Sequence, residues 1–257
     1  MLPFIFDTIN TKGNTVLNRK FSIFHSLRGG FILLDYIWLN DKSPILEQLP
    51  SNFKSAAILL HPFVQMPSGW ENSVRKRPYE HIYPSAEEIL QNGKSVSWKE
   101  MMSYSGLNSY TELAIAMLTS ISSFSEEYKR DDLAKKLHSN LKQDLYYPTE
   151  DYTSIFLLHN LLKTLGSNGA KILYFSEPIF DTNESLQIND TTPLNIWDLF
   201  CSEFIITDEN MDYAFMSMYD SFTTFLLAKD ENIEHIVQSI HVEAIICDKK
   251  TMIDWYL

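Results

Sequence analysis

The sequence is poor in cysteine and lacks long apolar runs, and each shortage excludes a class of protein. Cys201 and Cys247 are too few for a disulfide framework in 257 residues, which favours a reducing cytoplasm. No apolar run approaches the roughly 18 residues that a membrane-spanning helix needs. The best stretch, residues 31–39, is interrupted by Asp35. The first residues also lack the basic region and cleavage site of a secretory signal, so we expect a cytoplasmic protein without a membrane anchor.

Glycine is scarce as well, and the rest of the composition is that of a folded domain. Eight glycines and ten prolines exclude collagen-like or low-complexity character. Apolar residues make up 45% of the chain, which is enough for a sizeable core. We expect a single domain over residues 1–257 with two lobes. Residues 1–168 form a mixed, mainly helical lobe, and residues 169–257 form a strand-rich acidic lobe.

Basic side chains are scarce in the second half of the chain. Residues 143–257 contain five basic and 19 acidic side chains, a net charge of −14, whereas residues 1–142 have a net charge of +2. Between Lys171 and Lys229 there are ten carboxylates and no Lys or Arg. This charge repels nucleic acids and anionic membranes and attracts cations or a basic protein. The alternative is a solvated surface that only improves solubility.

Capping patterns predict helices in the middle of the chain. Ser85, Ser97 and Ser109 are each followed three residues later by Glu, the pattern of a capping box at a helix N-terminus. Apolar periodicity predicts two more helices, at about residues 126–145 and at 148–166.

The last ninety residues are typical of strands. Short apolar segments predict strands at residues 171–175, 203–207, 212–218, 222–228 and 241–247, with helices at 193–200 and 230–239. In the last strand, Val242, Ala244 and Ile246 are expected to face the core, and Trp255, Tyr256 and Leu257 are expected to pack on the sheet. The order predicts an α+β fold. Its C-terminal sheet is mostly antiparallel, and a central helical segment packs beside it.

Known catalytic and metal-binding motifs are absent. Gly93-Lys94-Ser95 resembles the end of a phosphate-binding loop but lacks the earlier glycine, and there is no C-x-x-C or H-E-x-x-H. Asp208-x-Asn210-x-Asp212 starts like a calcium loop, but a tyrosine stands where the loop needs glycine. We therefore expect no metal and no cofactor.

Three histidines and one glutamate are the candidates for catalysis. His61 directly precedes a proline-rich segment, residues 62–84, and His81 lies near the end of that segment. His241 and Glu243 are two residues apart, which places both on one face of a strand at a separation of about 7 Å. Such a pair could perform acid–base chemistry in a cleft between the proline-rich segment and the sheet.

Four sequence strings carry a resemblance to a known family. They are ILLHPFV at 58–64, YEHIYP at 79–84, SGLNSY at 105–110 and YDSF at 219–222. These strings resemble an uncharacterised family of Bacillus-type bacteria, domain of unknown function 2711, and the similarity spans most of the chain. The resemblance implies a bacterial cytoplasmic protein, and it implies no known activity, cofactor or catalytic residue.

Two hypotheses of function follow. The preferred one is a protein-binding module of inhibitor or immunity type, which attracts a basic protein through its acidic C-terminal face. Asp208, Glu209, Asp212 and Asp220 are its candidate contact residues, because a hairpin turn and the neighbouring strand ends can present them together. The alternative is an enzyme that uses the His/Glu cleft, although the lack of a catalytic motif favours a protein that is not an enzyme. The oligomeric state stays open.

Overall fold

The computed structural model describes residues 24–25, 33–77, 79–80, 82–150, 152–199, 203–218 and 220–257. Its helices are α1 (Ile45–Gln48), α2 (Trp70–Val74), α3 (Ala86–Asn92), α4 (Trp98–Ser105), α5 (Tyr110–Ser120), α6 (Asp131–His138), α7 (Ile155–Ser167), α8 (Pro193–Trp197) and α9 (Glu234–Ser239). Its strands are β1 (Phe24–His25), β2 (Leu33–Leu34), β3 (Ser55–Leu60), β4 (Phe63–Gln65), β5 (Lys94–Val96), β6 (Leu145–Tyr146), β7 (Ile172–Glu177), β8 (Thr182–Gln187), β9 (Ile205–Asp208), β10 (Tyr213–Ser217), β11 (Thr223–Ala228) and β12 (Ala244–Ile246). None of the helices described is long and apolar enough to cross a bilayer.

A seven-stranded antiparallel sheet organises the fold. Its strand order is β12-β3-β11-β10-β9-β7-β8, and a smaller sheet has the order β5-β4-β6. The predicted α+β fold with a mostly antiparallel C-terminal sheet is confirmed. Strand β3, from the first half of the chain, pairs with both β11 and β12 and is buried along its whole length. The large sheet therefore combines segments that lie far apart in the sequence.

Alternate residues of each central strand enter separate cores on the two faces of this sheet. On one face, Ala57 and Leu59 of β3 pack with Leu158 of α7. On the other face, Ala56 and Ile58 of β3 belong to the core that contains Ile45 and Phe53. Because successive side chains of a strand point to opposite faces, an uninterrupted apolar strand is suited to this central position.

A third core holds the helical segment beside the sheet. It contains Trp98 of α4, Met117 of α5 and Leu137 of α6, together with Phe63 of β4. The C-terminal residues reach the same core. The ring of Trp255 lies 6.3 Å from that of Trp98, and the ring of Tyr256 lies 5.9 Å from that of Phe124. Leu257 stays 59% exposed, so only part of the predicted C-terminal packing occurs.

Two of the three capping boxes form as predicted. Ser85 and Ser97 each accept a hydrogen bond from the third backbone N–H of the helix, and Glu88 and Glu100 bond back to the cap residue. Ser109 also accepts such a bond from Glu112, but the Glu112 carboxylate accepts from the backbone of Asn108 instead.

Several predicted boundaries are wrong. The helix expected at 126–145 is restricted to Asp131–His138, and Leu145 lies in β6. The helix expected from residue 148 begins at Ile155. In β12, Ile246 is 38% exposed, whereas Cys247 is buried, so the predicted inward face of this strand is wrong at that point. The strand lies at the sheet edge, where cores on both faces contact it.

Candidate functional site

A cavity of about 130 Å³ lies beside the end of β3. Four separate parts of the chain enclose it: the residues around Pro62, the segment from β5 to the first turn of α4, the N-terminal half of α7 and the residues just before β12. Its polar lining residues are Ser95, Ser97, Glu100, Asn160, His241 and Glu243. Its apolar lining residues include Leu60, Phe156, Leu157 and Val242. A concave site with an apolar wall and a few converging polar groups is typical of small-molecule binding.

His241 and Glu243 both line this cavity, but the predicted shared strand face is wrong, because the strand expected at 241–247 is restricted to Ala244–Ile246. His241 is exposed and has a φ of 52°, in the left-handed region that is unusual for a residue with a side chain. Its ring makes no hydrogen bond to any residue that the structure describes. The imidazole is thus available to a molecule in the cavity, while a role in acid–base chemistry stays a prediction.

The Glu243 carboxylate is bound to the N-terminus of α4. It accepts hydrogen bonds from the backbone N–H of Trp98 and, at 3.1 Å, from that of Lys99. The hydroxyl of Tyr110 lies 3.3 Å from the same carboxylate. Because the first backbone N–H groups of a helix have no partner within the helix, a carboxylate at this end stabilises α4. These bonds also hold the negative charge of Glu243 at the cavity wall.

Glu100 fixes a second negative charge beside the first. Its carboxylate accepts hydrogen bonds from the backbone N–H and from the hydroxyl of Ser97, both at 2.8 Å. These bonds lower the pKa of Glu100, so the group is ionised at neutral pH. None of the lining residues that the structure describes is Lys or Arg. The wall around α4 therefore carries two fixed anions, and Lys142, the cationic side chain that also lowers the pKa of Glu100, lies outside the lining.

His61 lies outside the cavity, although Leu60 and Pro62 on either side of it line the wall. The residue is 2% exposed, and its Nε2 lies 2.7 Å from the hydroxyl of Thr224. Burial lowers the pKa of His61 to about 3, and the backbone of Thr149 offsets this only in part. The imidazole is therefore neutral at physiological pH.

The imidazole–hydroxyl pair of His61 and Thr224 has the composition of a base and a nucleophile. Thr224 is completely buried, however, and its hydroxyl also lies 3.3 Å from that of Thr153. A substrate has no access to this pair, so its contacts are structural. His81, the remaining histidine of the predicted set, lies outside the described residues.

Two of the predicted acidic contact residues support the backbone of the sheet. Asp208 is 4% exposed and accepts hydrogen bonds from the backbone N–H of Asn210 at 3.0 Å and of Tyr213 at 2.8 Å. Its carboxylate thus closes the β9–β10 turn, and burial raises its pKa. Glu209 accepts from the backbone N–H of Lys171 at 3.0 Å and of Ile172 at 3.2 Å, next to the start of β7.

The other two predicted acidic residues lie at opposite ends of β10. Asp212 precedes the strand and forms an ion pair with Lys229 at 3.1 Å, with both side chains about half exposed. Asp220 is exposed and lies in the turn between β10 and β11. The five residues of β10 span about 17 Å. The structure therefore groups Asp208, Glu209 and Asp212 at one end of the sheet and places Asp220 at the other.

The sequence reasoning missed four polar residues of the cavity, namely Ser95, Ser97, Glu100 and Asn160. Glu100 was interpreted only as part of a capping box, and Asn160 was not considered. Asn160 is a polar residue one turn after Phe156 on an otherwise apolar helix, which is the signal that could have identified it. The described residues contain no group of three or more His, Cys, Asp or Glu side chains that could hold a metal ion.

Comparison with known proteins places the chain in a family. A curated relative, "Uncharacterized protein YwbB" of Bacillus subtilis (strain 168), is 49% identical over 224 residues, which cover 87% of this chain and all of the relative. No solved structure matches the chain significantly. Residues 41–257 match the family described as "Protein of unknown function (DUF2711)", as the four sequence strings indicated. The chain therefore belongs to the DUF2711 family.

Proposed function

We propose that the protein binds a small organic cation, such as an amine, in the cavity at the N-terminus of α4. The observation that carries this proposal is the pair of carboxylates, Glu100 and Glu243, that line one cavity and are held by the backbone of consecutive residues, Ser97 and Trp98. Since the two backbone nitrogens are adjacent, the bonded carboxylate oxygens lie within about 9 Å of each other. A diamine such as putrescine is long enough to contact both.

Electrostatics supports a cationic ligand. The attraction between opposite charges is stronger near a protein wall than in bulk water, because the effective dielectric constant is lower there. Hydrogen bonds from the helix N-terminus hold both carboxylates before a ligand arrives, so binding requires little reorganisation of these two side chains. His241 and Asn160 supply further hydrogen-bonding groups, and Phe156 supplies an aromatic surface.

The contacts support binding more than catalysis. No hydrogen bond joins His241 to Ser95 or Ser97 in the part of the chain that the structure describes, so the lining lacks an assembled nucleophile and base. Both carboxylates are occupied by backbone donors, and those at Glu100 lower its pKa, which disfavours a role as a general acid. An enzymatic version of this proposal would have His241 act on a molecule that these carboxylates hold.

Calorimetric titration with a panel of amines tests the proposal. Ethanolamine, putrescine and choline serve as cationic probes, and ethylene glycol and butanediol serve as uncharged controls. We expect at least one amine to bind and the alcohols not to bind. Glu100→Gln and Glu243→Gln remove the charge but keep a hydrogen-bond acceptor, and each should weaken amine binding about tenfold.

Glu112→Gln is the matched control for these variants. Glu112 occupies the same position of the next helix, α5, and bonds to Asn108 outside the cavity. This variant should bind the amine as the native protein does. The proposal fails if none of the amines binds, or if Glu100→Gln and Glu243→Gln bind as tightly as Glu112→Gln.

A second candidate function is binding of a basic protein by the acidic lobe, in an inhibitor or immunity-type role. The net charge of −14 on residues 143–257 supports it. Reversal of Asp208 or Glu209 would disturb the sheet, so the exposed Asp190 and Asp198 are the better sites for charge reversal. Pull-down from a bacterial lysate at low and high salt tests this function. A salt-sensitive basic partner that Asp190→Lys and Asp198→Lys weaken is expected, and its absence would leave the solvated-surface explanation.

A further inference from the structure

Strand β8 forms one edge of the seven-stranded sheet. It pairs with β7 on its inner side, and no other strand among the described residues pairs with its outer side. Four of its six residues are exposed. An unpaired edge of this kind presents backbone N–H and C=O groups that another extended chain can bind.

The register shows which backbone groups of β8 face outward. Ile188, just after the strand, donates its N–H to the carbonyl of Lys171 at 2.9 Å. In an antiparallel pair, alternate residues direct both backbone groups to the same side. Glu184 therefore directs its backbone groups to β7, whereas Asn183 and Ser185 direct theirs away from it. These two residues offer two donors and two acceptors at the edge.

The turn before β8 holds two apolar side chains in the solvent. Ile179 is 52% exposed and Phe180 is 70% exposed. Their backbone N–H groups donate to the carboxylate of Glu177, at 2.6 Å and 2.9 Å, and Glu177 itself is 2% exposed. A buried carboxylate thus fixes the conformation of the turn. Apolar side chains on a fixed turn lose little conformational entropy when a partner covers them.

The charge along this edge selects the partner. Asp181, Glu184 and Asp190 are all exposed, and the sequence has no Lys or Arg from residue 172 to 228. Many proteins protect an edge strand with lysine, whereas here the charged residue of the strand is an acid. A second copy of β8 would bring like charges together, which disfavours pairing between two copies.

We propose that β8 binds an extended, lysine- or arginine-rich segment of a partner protein as an eighth strand of the sheet. The backbone groups of Asn183 and Ser185 bind the main chain of the segment, Phe180 packs on one of its apolar side chains, and Glu184 pairs with a basic one. This inference rests on the second candidate function above, protein binding by the acidic lobe, and it specifies where and how the partner binds.

A synthetic eight-residue peptide that alternates lysine with valine is the probe, and fluorescence anisotropy at low salt measures its binding. Three variants test the three contacts. Ser185→Pro removes an outward N–H without removing a bond to β7, Phe180→Ser removes the apolar contact, and Glu184→Lys reverses the charge. Each should weaken binding about tenfold. Glu231→Lys, at an exposed site before α9, makes the same change of charge and should alter binding by less than about twofold.

A second peptide keeps the proposal falsifiable if Ser185→Pro does not fold. It has the same sequence, but every backbone nitrogen is methylated, so that it keeps its charge and neither of its edges can pair with a strand. We expect it to bind at least about tenfold more weakly than the unmodified peptide. If it binds equally tightly, strand addition is wrong, and charge-driven binding by the lobe stands. If neither peptide binds, strand addition at β8 and charge-driven binding by the acidic lobe are both wrong. A dimer that Ser185→Pro dissociates would make a second copy the occupant and would also overturn the proposal.

Discussion

The buried imidazole of His61 makes the stability of the protein depend on pH. An unfolded histidine has a pKa near 6.5, whereas burial lowers the pKa of His61 to about 3. Between these values the unfolded chain binds a proton that the folded chain does not bind, so the free energy of unfolding decreases as the pH falls below about 6.5. The decrease approaches about 1.4 kcal/mol per pH unit, which amounts to about 2 kcal/mol between pH 7.5 and pH 5.

Urea denaturation at pH 7.5, 6.5, 5.5 and 5 measures this dependence. His61→Gln removes the titrating group, so its free energy of unfolding should fall by about 2 kcal/mol less over this range than that of the native protein. The variant also loses the hydrogen bond to Thr224, and this loss lowers its free energy of unfolding by about 1–3 kcal/mol at every pH. Because the loss is the same at every pH, it does not contribute to the difference in pH dependence. His138→Gln, at an exposed position, should keep the native slope. Equal slopes for the native protein and His61→Gln would refute the reasoning.

Three further predictions concern stability. Truncation after Asp254 removes the packing of Trp255 and Tyr256 and should lower the melting temperature by about 5 °C or more, as differential scanning calorimetry would show; an unchanged melting curve contradicts it. Asp144→Ala removes a buried carboxylate that accepts two backbone hydrogen bonds at the start of α2. It should lower the free energy of unfolding in urea by about 2–4 kcal/mol, and a decrease below about 0.5 kcal/mol would exclude this role. Gly106→Ala forces a residue with a side chain into a φ of 66° at the end of α4, and it should lower the free energy of unfolding by about 1 kcal/mol in urea denaturation. Unchanged stability would show that the position tolerates the strain.

The local sequence was sufficient to predict secondary structure where residues close together in the chain form the hydrogen bonds or the apolar pattern that defines it. The caps at Ser85 and Ser97 depend on residues within one helical turn, and both form as the pattern predicts. The apolar segments of β10 and β11 are strands because a central strand buries both of its faces.

Local sequence failed where distant contacts decide the conformation. Strand β8 has the sequence TNESLQ, which shows no apolar alternation, and its pairing with β7 makes it a strand. Asp208 looks like a surface residue of a turn, yet the folded hairpin buries it. Burial depends on the neighbouring strands, which a reading of the turn alone does not include.

The candidate site, too, could be predicted from the sequence only in part. By itself, the sequence determined the α+β class, the family resemblance and the acidic second half, and it named His241 and Glu243, which line one cavity although neither lies in a strand. Only the tertiary structure separated His61 from that pair and added Glu100 and Asn160. The physical reason is that the cavity lies where β3 pairs with β12 and where α4 and α7 pack nearby. Its walls come from segments up to about 180 residues apart, and only long-range pairing and burial bring them together.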